Sequence, residues 1–291
     1  MKLALIVAAK GACDPGPFVA ALTEAGALAD PEIEVHVVQD AASGWIGAAP
    51  DLPVHKLSTE TSVFHLWGFG VGVARADHVA ILDIHCPPGP GWFAAVKARL
   101  AQGAEAFYGP VEPAYPVNDH RIIGYLTEYV QFHRPVRPDM DEVAGNNLVL
   151  RRELAGDPAH LRSEGFVKTL ILHDLHEASG GVERVDAAAV LHDKPFEFGA
   201  YIVRRYRHGR CYAAQRREQP GAAPGWVLAL LTPVLPLLRT WRIHGHAARI
   251  PGCRGAFWRY APHILAAETG WSFGELKGYL AGEGDTRAKL D

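Results

Sequence analysis

The chain has 291 residues, of which 48% are hydrophobic and 21% are charged, and this globular composition excludes wholesale disorder. The formal net charge at pH 7 is −3, so no general attraction to nucleic acid is expected. Four cysteines lie far apart, at positions 13, 86, 211 and 253. This spacing excludes a zinc knuckle or a disulfide scaffold, and it favours a protein of the reducing cytoplasm.

Short apolar runs alternate with helical patterns along most of the chain. Strands are predicted at residues 3–8, 34–38, 78–82, 106–111 and 186–191, and helices at 17–27, 62–76, 92–102 and 122–132. The alternation predicts an α/β fold, with a mostly parallel central sheet and helices on both faces. In such sheets ligands bind at the carboxyl ends of the strands, and Asp40 and Asp83 both fall there.

The C-terminal part of the chain has a different composition. Residues 1–203 contain 15 Lys and Arg against 26 Asp and Glu, whereas residues 204–259 contain 11 Arg and a single acid, Glu218. We therefore expect two domains, a catalytic domain over 1–215 and a helical, Arg-rich C-terminal extension over 216–291. No run of 18 apolar residues is present, so no membrane-crossing helix is expected.

Residues 226–259 combine leucines with arginines, and Trp226 and Trp241 flank the leucine-rich part. This composition favours contact with an anionic membrane surface, which would place the protein peripherally at the inner face of the membrane. The alternative is a pair of helices that packs on the protein's own core.

Several stretches together resemble a known family. Residues 74–92 read ARADHVAILDIHCPPGPGW, a strand that runs into Asp-x-His and then a proline-rich turn before Gly-Trp. Behind it follow GPVEP at 109–113, GNNLVLRR at 145–152, Gly180, VLH at 190–192, and GE with GYLAG between 274 and 282. In this order the stretches resemble family 2 glycosyltransferases of the GT-A fold, over nearly the whole chain.

The resemblance implies an activity. Such a protein would move a sugar from a nucleotide-diphospho-sugar to a hydroxyl group, with inversion and with the help of a divalent cation. The acceptor stays open among a glycan, a lipid and a small molecule. The alternative is a GT-A-like protein without catalysis that binds nucleotide or acts as a scaffold, because His85 stands where the motif normally has its second carboxylate.

The resemblance also implies site residues. The candidate nucleotide-sugar-binding residues are Lys10, Asp40, Asp83, Asn146 and Asn147, and the candidate metal ligands are Asp83, His85 and His192. A mixed set of carboxylate and imidazole favours Mn²⁺, with Zn²⁺ and Mg²⁺ as alternatives. Each residue also has an ordinary interpretation: aspartates that end strands in turns, a solvated lysine, a surface His85 and a core His192.

The catalytic base is the least defined part of the resemblance. At the spacing that the family keeps before the glycine matching Gly180, this chain has Lys168 and Thr169, which cannot accept a proton from a hydroxyl group. Asp174 would serve if the intervening helix is shorter, and Glu164 if it is longer. The alternative is that Asp174 lies on a solvated helix face.

Overall fold

The computed structural model describes residues 2–135, 142–166, 182–218 and 223–290. Its contacts divide the chain into two compact units, Met1–Ala114 with Phe132–Asp193, and Tyr115–Gln131 with Lys194–Asp291. This division differs from the predicted one into 1–215 and 216–291. The predicted boundary after residue 215 was based on the change to an Arg-rich composition. The helix that carries many of these arginines begins before that boundary, at Phe198.

Most of the predicted elements are present. The strands are β1 (Leu3–Ala8), β2 (Ala12–Cys13), β3 (Ile33–Gln39), β4 (Gly44–Trp45), β5 (Val54–Lys56), β6 (His78–Asp83), β7 (Ala106–Tyr108), β8 (Val111–Pro113), β9 (Asn147–Arg151), β10 (Glu183–Arg184) and β11 (Val190–His192). The helices are α1 (Gly16–Glu24), α2 (Val63–Val73), α3 (Trp92–Ala101), α4 (Ile122–Glu128), α5 (Pro158–Ser163), α6 (Phe198–Glu218), α7 (Gly225–Leu231), α8 (Leu235–Ala247) and α9 (Cys253–Ala281). Single 3₁₀ turns cover Ala27–Ala29, Val130–Phe132, Arg152–Ala155, Thr232–Val234 and Arg287–Lys289.

The main sheet has seven strands among the described residues, in the order β10-β7-β9-β6-β1-β3-β5. Neighbouring strands run parallel except at β9, which is antiparallel to both β6 and β7. The prediction of a mostly parallel sheet is therefore confirmed. Because β9 runs the other way, its first residue, Asn147, pairs with Leu82 near the end of β6.

The core explains why β1 is a continuous apolar run. All six of its side chains are buried, which requires cover on both faces of the sheet. Helix α2 packs on one face, where Leu66, Trp67 and Val71 join alternate residues of β1, β6 and β9 in one apolar cluster. Helices α1 and α3 bury their own apolar residues, and the α/β class is confirmed.

Two predicted strands differ from the observed ones. The strand predicted at 106–111 is split into β7 and β8 by Gly109 and Pro110. A Cβ atom at Gly109 would lie 1.7 Å from the carbonyl oxygen of Ala188, so the chain needs glycine where the two segments separate. The strand predicted at 186–191 forms only as β11, which pairs with β8 in a separate two-stranded sheet.

The second unit, Tyr115–Gln131 with Lys194–Asp291, is called the C-terminal unit. It is helical, as predicted for the C-terminal part of the chain. Helices α6 and α9 lie so close that a Cβ atom at Gly209 or Gly274 would sit 2.1 Å from a backbone oxygen of the other helix. Arg205 of α6 donates a 2.5 Å hydrogen bond to the fully buried Glu268 of α9, and Arg239 of α8 bonds the other oxygen of the same carboxylate. The buried acid thus ties three helices together.

Candidate functional site

Three parallel strands deliver the candidate residues to one edge of the sheet. Ala8, the last residue of β1, pairs with Val38 of β3 and with Asp83 of β6. Lys10, Asp40 and Asp83 consequently leave the sheet at the same edge, where side chains after parallel strands meet. The antiparallel β9 begins at this edge, so Asn146 and Asn147 arrive there from the opposite direction.

Lys10 and Asp40 form the polar centre of this edge. The Lys10 ammonium lies 2.6 Å from Oδ2 of Asp40, whose side chain has no exposed surface. Ser43 donates a 2.5 Å hydrogen bond to Oδ1, and the backbone N–H groups of Thr61 and Ala42 donate to Oδ2 and Oδ1 at 3.0 and 3.2 Å. Burial raises the pKa of Asp40, but the hydrogen bonds from Lys10, Ser43 and Thr61 outweigh it and hold the pKa below its usual range.

This network restricts what Asp40 can do. Four donors share its two oxygens, which saturates the usual capacity of a carboxylate, so a nucleobase could bond Asp40 only by replacing one of them. Asp40 instead fixes Lys10 and the loop that follows β3. Ser43 was missed by the sequence analysis, although an Asp followed three residues later by Ser is a typical loop-closing pattern.

Asp83 and His85 form a tight turn after β6. The backbone N–H of His85 donates to Oδ1 of Asp83 at 2.8 Å, and the N–H of Cys86 donates to the Asp83 carbonyl at the same distance. The His85 side chain is buried, with 7% of its surface exposed, so the interpretation as a surface histidine is wrong. Its Nε2 lies 3.6 Å from the Cys13 sulfur, a neighbour that the sequence analysis did not consider.

His192 reaches the same region from the second sheet. It ends β11 and is buried, and the next residue, Asp193, donates its N–H to the His85 carbonyl at 2.7 Å. The two histidine segments are therefore adjacent, as the resemblance implied. Within the described ranges, however, no group of three or more His, Cys, Asp or Glu side chains is arranged to hold a metal ion. Asp83, His85 and His192 thus do not form a ready three-residue metal site.

Asn146 and Asn147 differ sharply in how their side chains are bonded. Asn147 donates to the carbonyls of Pro110 and Ala188 at 2.8 Å each and accepts from the indole N–H of Trp92 at 3.0 Å. Both of its amide hydrogens are in use, so Asn147 holds the split strands and α3 together. Asn146 donates to the sulfur of Cys86 at 3.0 Å.

The Oδ1 atom of Asn146 is buried and accepts no hydrogen bond from any atom that the structure describes. An unsatisfied buried acceptor costs about 1–3 kcal/mol, and such atoms in native structures call for a ligand, a water molecule or a functional reason. Asn146 Oδ1 therefore remains an acceptor for a ligand or a water molecule.

The structure describes only one of the two candidate bases. Asp174, like Gly180, lies outside the described residues. Glu164 follows α5, and its neighbours are anchored to the start of α2, because Phe166 N–H donates to the Phe64 carbonyl at 2.7 Å. Thr61, whose N–H donates to Asp40, lies two residues before Val63, the first residue of α2. The backbone next to Glu164 is thus hydrogen-bonded to the start of α2, which lies next to the polar edge.

A cavity of about 510 Å³ lies beside the turn after Asp83. Its lining includes the proline-rich segment 87–91, residues Pro17 and Ala21 of α1, Phe93 of α3, and Leu191 with Asp193. The walls are mostly apolar, and Asp193 supplies a carboxylate next to His192. Lys10, Asp40, Asp83 and Asn146 are not among the residues that line this cavity.

Comparisons with known proteins identify structural neighbours. No protein-family model matches the chain, and no curated protein matches it. Among solved structures, the chain is similar to the mannosyltransferase PcManGT from Pyrobaculum calidifontis in complex with GDP-Man and Mn²⁺, at 15% identity, with 95% of this chain and 86% of that chain covered and a TM-score of 0.49.

Two other solved structures are similar in the same way. Glucosyl-3-phosphoglycerate synthase from Mycobacterium tuberculosis, in complex with Mn²⁺, uridine diphosphate and phosphoglyceric acid, shares 11% identity over 68% of this chain and 72% of that chain, with a TM-score of 0.40. TarS 1–349 from S. aureus shares 13% identity over 99% of this chain and 89% of that chain, with a TM-score of 0.46. Nucleotide-sugar glycosyltransferases are thus among the structural neighbours. At these identities and TM-scores the chemistry must be argued from this chain's own residues.

Proposed function

We propose that this chain is an inverting glycosyltransferase of the GT-A type, related to family 2, that moves a sugar from a nucleotide-diphospho-sugar to a hydroxyl acceptor. The observation that carries the proposal is the sheet edge itself. The Lys10 ammonium, the Asp83 carboxylate and the unsatisfied amide oxygen of Asn146 all lie at the edge where three parallel strands end, and the Lys10 side chain is only 9% exposed. This combination suits a ligand with both anionic and hydroxyl groups.

The chemistry assigns a role to each group. Negative charge grows on the diphosphate as the sugar leaves, and a preorganised cation such as Lys10 stabilises that charge in a site with little water. Asn146 Oδ1 can accept a hydrogen bond from a ribose or sugar hydroxyl. Asp40 holds Lys10 in place through its 2.6 Å ion pair. The donor would therefore be bound and oriented by the loops after β1, β6 and before β9.

Inverting transfer further requires a base that takes the proton from the acceptor hydroxyl. Asp174 and Glu164 remain the two candidates for that role. If Asp174→Asn leaves turnover near normal, the role moves to Glu164 or to the acceptor itself.

A divalent cation, with Mn²⁺ favoured over Mg²⁺ and Zn²⁺, remains a prediction from the Asp83-x-His85 turn. As arranged, Asp83, His85 and His192 do not fit a metal as a three-residue set, and His85 Nε2 faces Cys13. No step of the proposed mechanism is therefore assigned to the cation. Measuring nucleotide affinity with and without Mn²⁺ decides whether the protein uses one.

The test of the proposal is donor turnover. The purified chain is incubated with UDP-, GDP- and dTDP-sugars, with and without Mn²⁺, and release of the nucleoside diphosphate is followed. Slow hydrolysis of one donor without acceptor, accelerated by glycans, lipids or small-molecule alcohols, is the expected result. If no donor is turned over and no nucleotide binds, the proposal is wrong.

A second candidate function is a nucleotide-binding or scaffold protein that has lost catalysis. The specific observation in its favour is that no three-residue metal set exists among the described residues, together with the histidine in place of the second acid. Tight nucleotide binding without turnover, across the full donor panel and with every acceptor class, would support this alternative. A thermal-shift screen separates binding from turnover, because a bound nucleotide raises the unfolding temperature.

A further inference from the structure

The C-terminal unit carries a continuous apolar surface. Trp226, Leu230, Leu237 and Trp241, on α7 and α8, are each between 65% and 70% exposed. The 3₁₀ turn between these helices adds Val234, which is 63% exposed. Monomeric proteins in water rarely expose so many large apolar residues in one stretch, and such patches mark a partner or a membrane. We call this stretch of α7, the turn and α8 the apolar face.

A groove continues the apolar face onto α9. It encloses about 770 Å³, and its walls include Leu237, Leu238 and Trp241 from α8 and Phe257, Trp258 and Leu265 from α9. Trp258 is itself 60% exposed. A groove with aromatic rims at its surface can receive lipid acyl chains, because tryptophan rings prefer the boundary between hydrocarbon and water.

Charge indicates which kind of occupant fits. Residues 226–259 contain no Asp or Glu. The exposed side chains of Arg242, Arg249, Arg254 and Arg259 lie in α8, in the loop after it and in the first turns of α9. Basic groups beside exposed Trp and Leu are the pattern of helices that lie in the interface of an anionic bilayer. We propose that the apolar face and its groove dock this protein on the surface of an anionic membrane.

The contacts of α8 favour lying in the interface over crossing the bilayer. By length and composition, Gly225–Ala247 could cross a membrane, contrary to the sequence expectation, and only 17% of it is buried. Yet the segment is broken by a 3₁₀ turn that contains Pro233. Arg239 is bonded to Glu268 and lies over the Trp271 ring, 4.4 Å from its centroid. A segment held to α9 by a buried ion pair cannot leave it to span hydrocarbon.

One side of the segment is packed and the other is available. Leu228, Ala229, Ile243 and Ala247 are buried in the C-terminal unit, whereas the tryptophans and leucines of the apolar face point away from it. The sequence analysis also considered a pair of helices that packs on the protein's own core. Only one side of the segment packs in this way. The opposite side keeps its apolar area available for lipid.

Vesicle sedimentation of the full-length chain tests the proposal. Vesicles of phosphatidylglycerol and phosphatidylcholine are compared with pure phosphatidylcholine, at low and at high salt. We expect binding to the anionic vesicles that falls at least tenfold at 0.5 M salt, because screened arginines no longer attract the surface. Leu237→Asp with Trp241→Asp should lower vesicle affinity at least tenfold. Phe273→Asp, a matched control because Phe273 is 62% exposed on α9 outside the groove, should not.

Unfolding temperatures of the variants, measured in parallel, distinguish a loss of vesicle binding from a loss of folding. Because the altered residues are exposed, we expect these temperatures to stay near that of the wild type. Three results would overturn the proposal. The first is wild-type protein that stays in the supernatant with anionic vesicles at low salt. The second is equal loss of binding in the Phe273 control. The third is a stable dimer that Leu237→Asp dissociates without any vesicle binding, which would assign the apolar face to a second copy of the chain.

Discussion

Removing the charge of Asp40 is the sharpest test of how the polar edge is built. Asp40→Asn keeps the size of the side chain but removes the negative charge that faces the Lys10 ammonium 2.6 Å away. The Lys10 side chain is only 9% exposed, and a second acidic neighbour, Glu60, is 3.8 Å away and 49% exposed. The ammonium therefore loses its close partner while it stays largely out of water.

The size of the effect follows from this burial. Breaking a buried ion pair by removing one partner costs about 3–5 kcal/mol, because the remaining charge is left uncompensated. The partial contact with Glu60 reduces the loss, but the asparagine amide keeps a single acceptor oxygen for donors that used both oxygens of Asp40, so we expect a loss of at least about 3 kcal/mol. A loss of this size multiplies the unfolding equilibrium constant by about 10².

Urea unfolding followed by tryptophan fluorescence measures this loss in the free energy of unfolding. Glu60→Gln is the matched control, since its longer and half-exposed contact with Lys10 should be worth about 0–1 kcal/mol. Replacing Lys10 by Met in the Asp40→Asn background should recover part of the loss, because it removes the uncompensated charge.

The pH dependence gives an independent check. The pKa of Asp40 is lowered in the folded protein from an ordinary value of 3.8. Its contribution is therefore fully present above pH 3.8 and is lost as the pH falls through the lowered folded value. The difference in stability between wild type and Asp40→Asn should shrink over that range. A loss at pH 7 no larger than that of the Glu60 control would refute this account of the edge.

The remaining predictions concern the site. Asn146→Ala should weaken donor binding about tenfold in calorimetry, because it removes an acceptor that no described residue satisfies; unchanged affinity would exclude direct contact. Asp174→Asn should lower turnover by a factor of about 10² to 10⁴ while nucleotide still binds. His85→Ala and His192→Ala test the metal prediction: reduced Mn²⁺-dependent nucleotide affinity would support ligation after a rearrangement of these side chains, and unchanged affinity would exclude the metal site. Gly109→Ala should destabilise by more than about 1 kcal/mol in thermal unfolding, since its Cβ atom would lie 1.7 Å from a carbonyl oxygen.

The sequence alone predicted the main layers of the fold. The apolar runs at 3–8, 34–38 and 78–82 became β1, β3 and β6 within a residue or two. Each of these segments is local, and residues 3–8 are apolar throughout, which is the pattern of a strand covered on both faces. The same reasoning placed Asp40 and Asp83 at the carboxyl edge, because parallel strands end together.

Tertiary structure decided everything that depends on pairing between distant segments. Strand β9 runs antiparallel between β6 and β7, and this brings Asn146 to the polar edge and lets Asn147 bond two backbone carbonyls and the indole of Trp92. Likewise, Asp40 is paired with a lysine 30 residues away, and His85 lies next to a cysteine 72 residues away. The hydrophobic periodicity of a single segment does not predict such contacts. Hydrogen bonds between loops depend on strand order and register, which the composition of one segment does not encode.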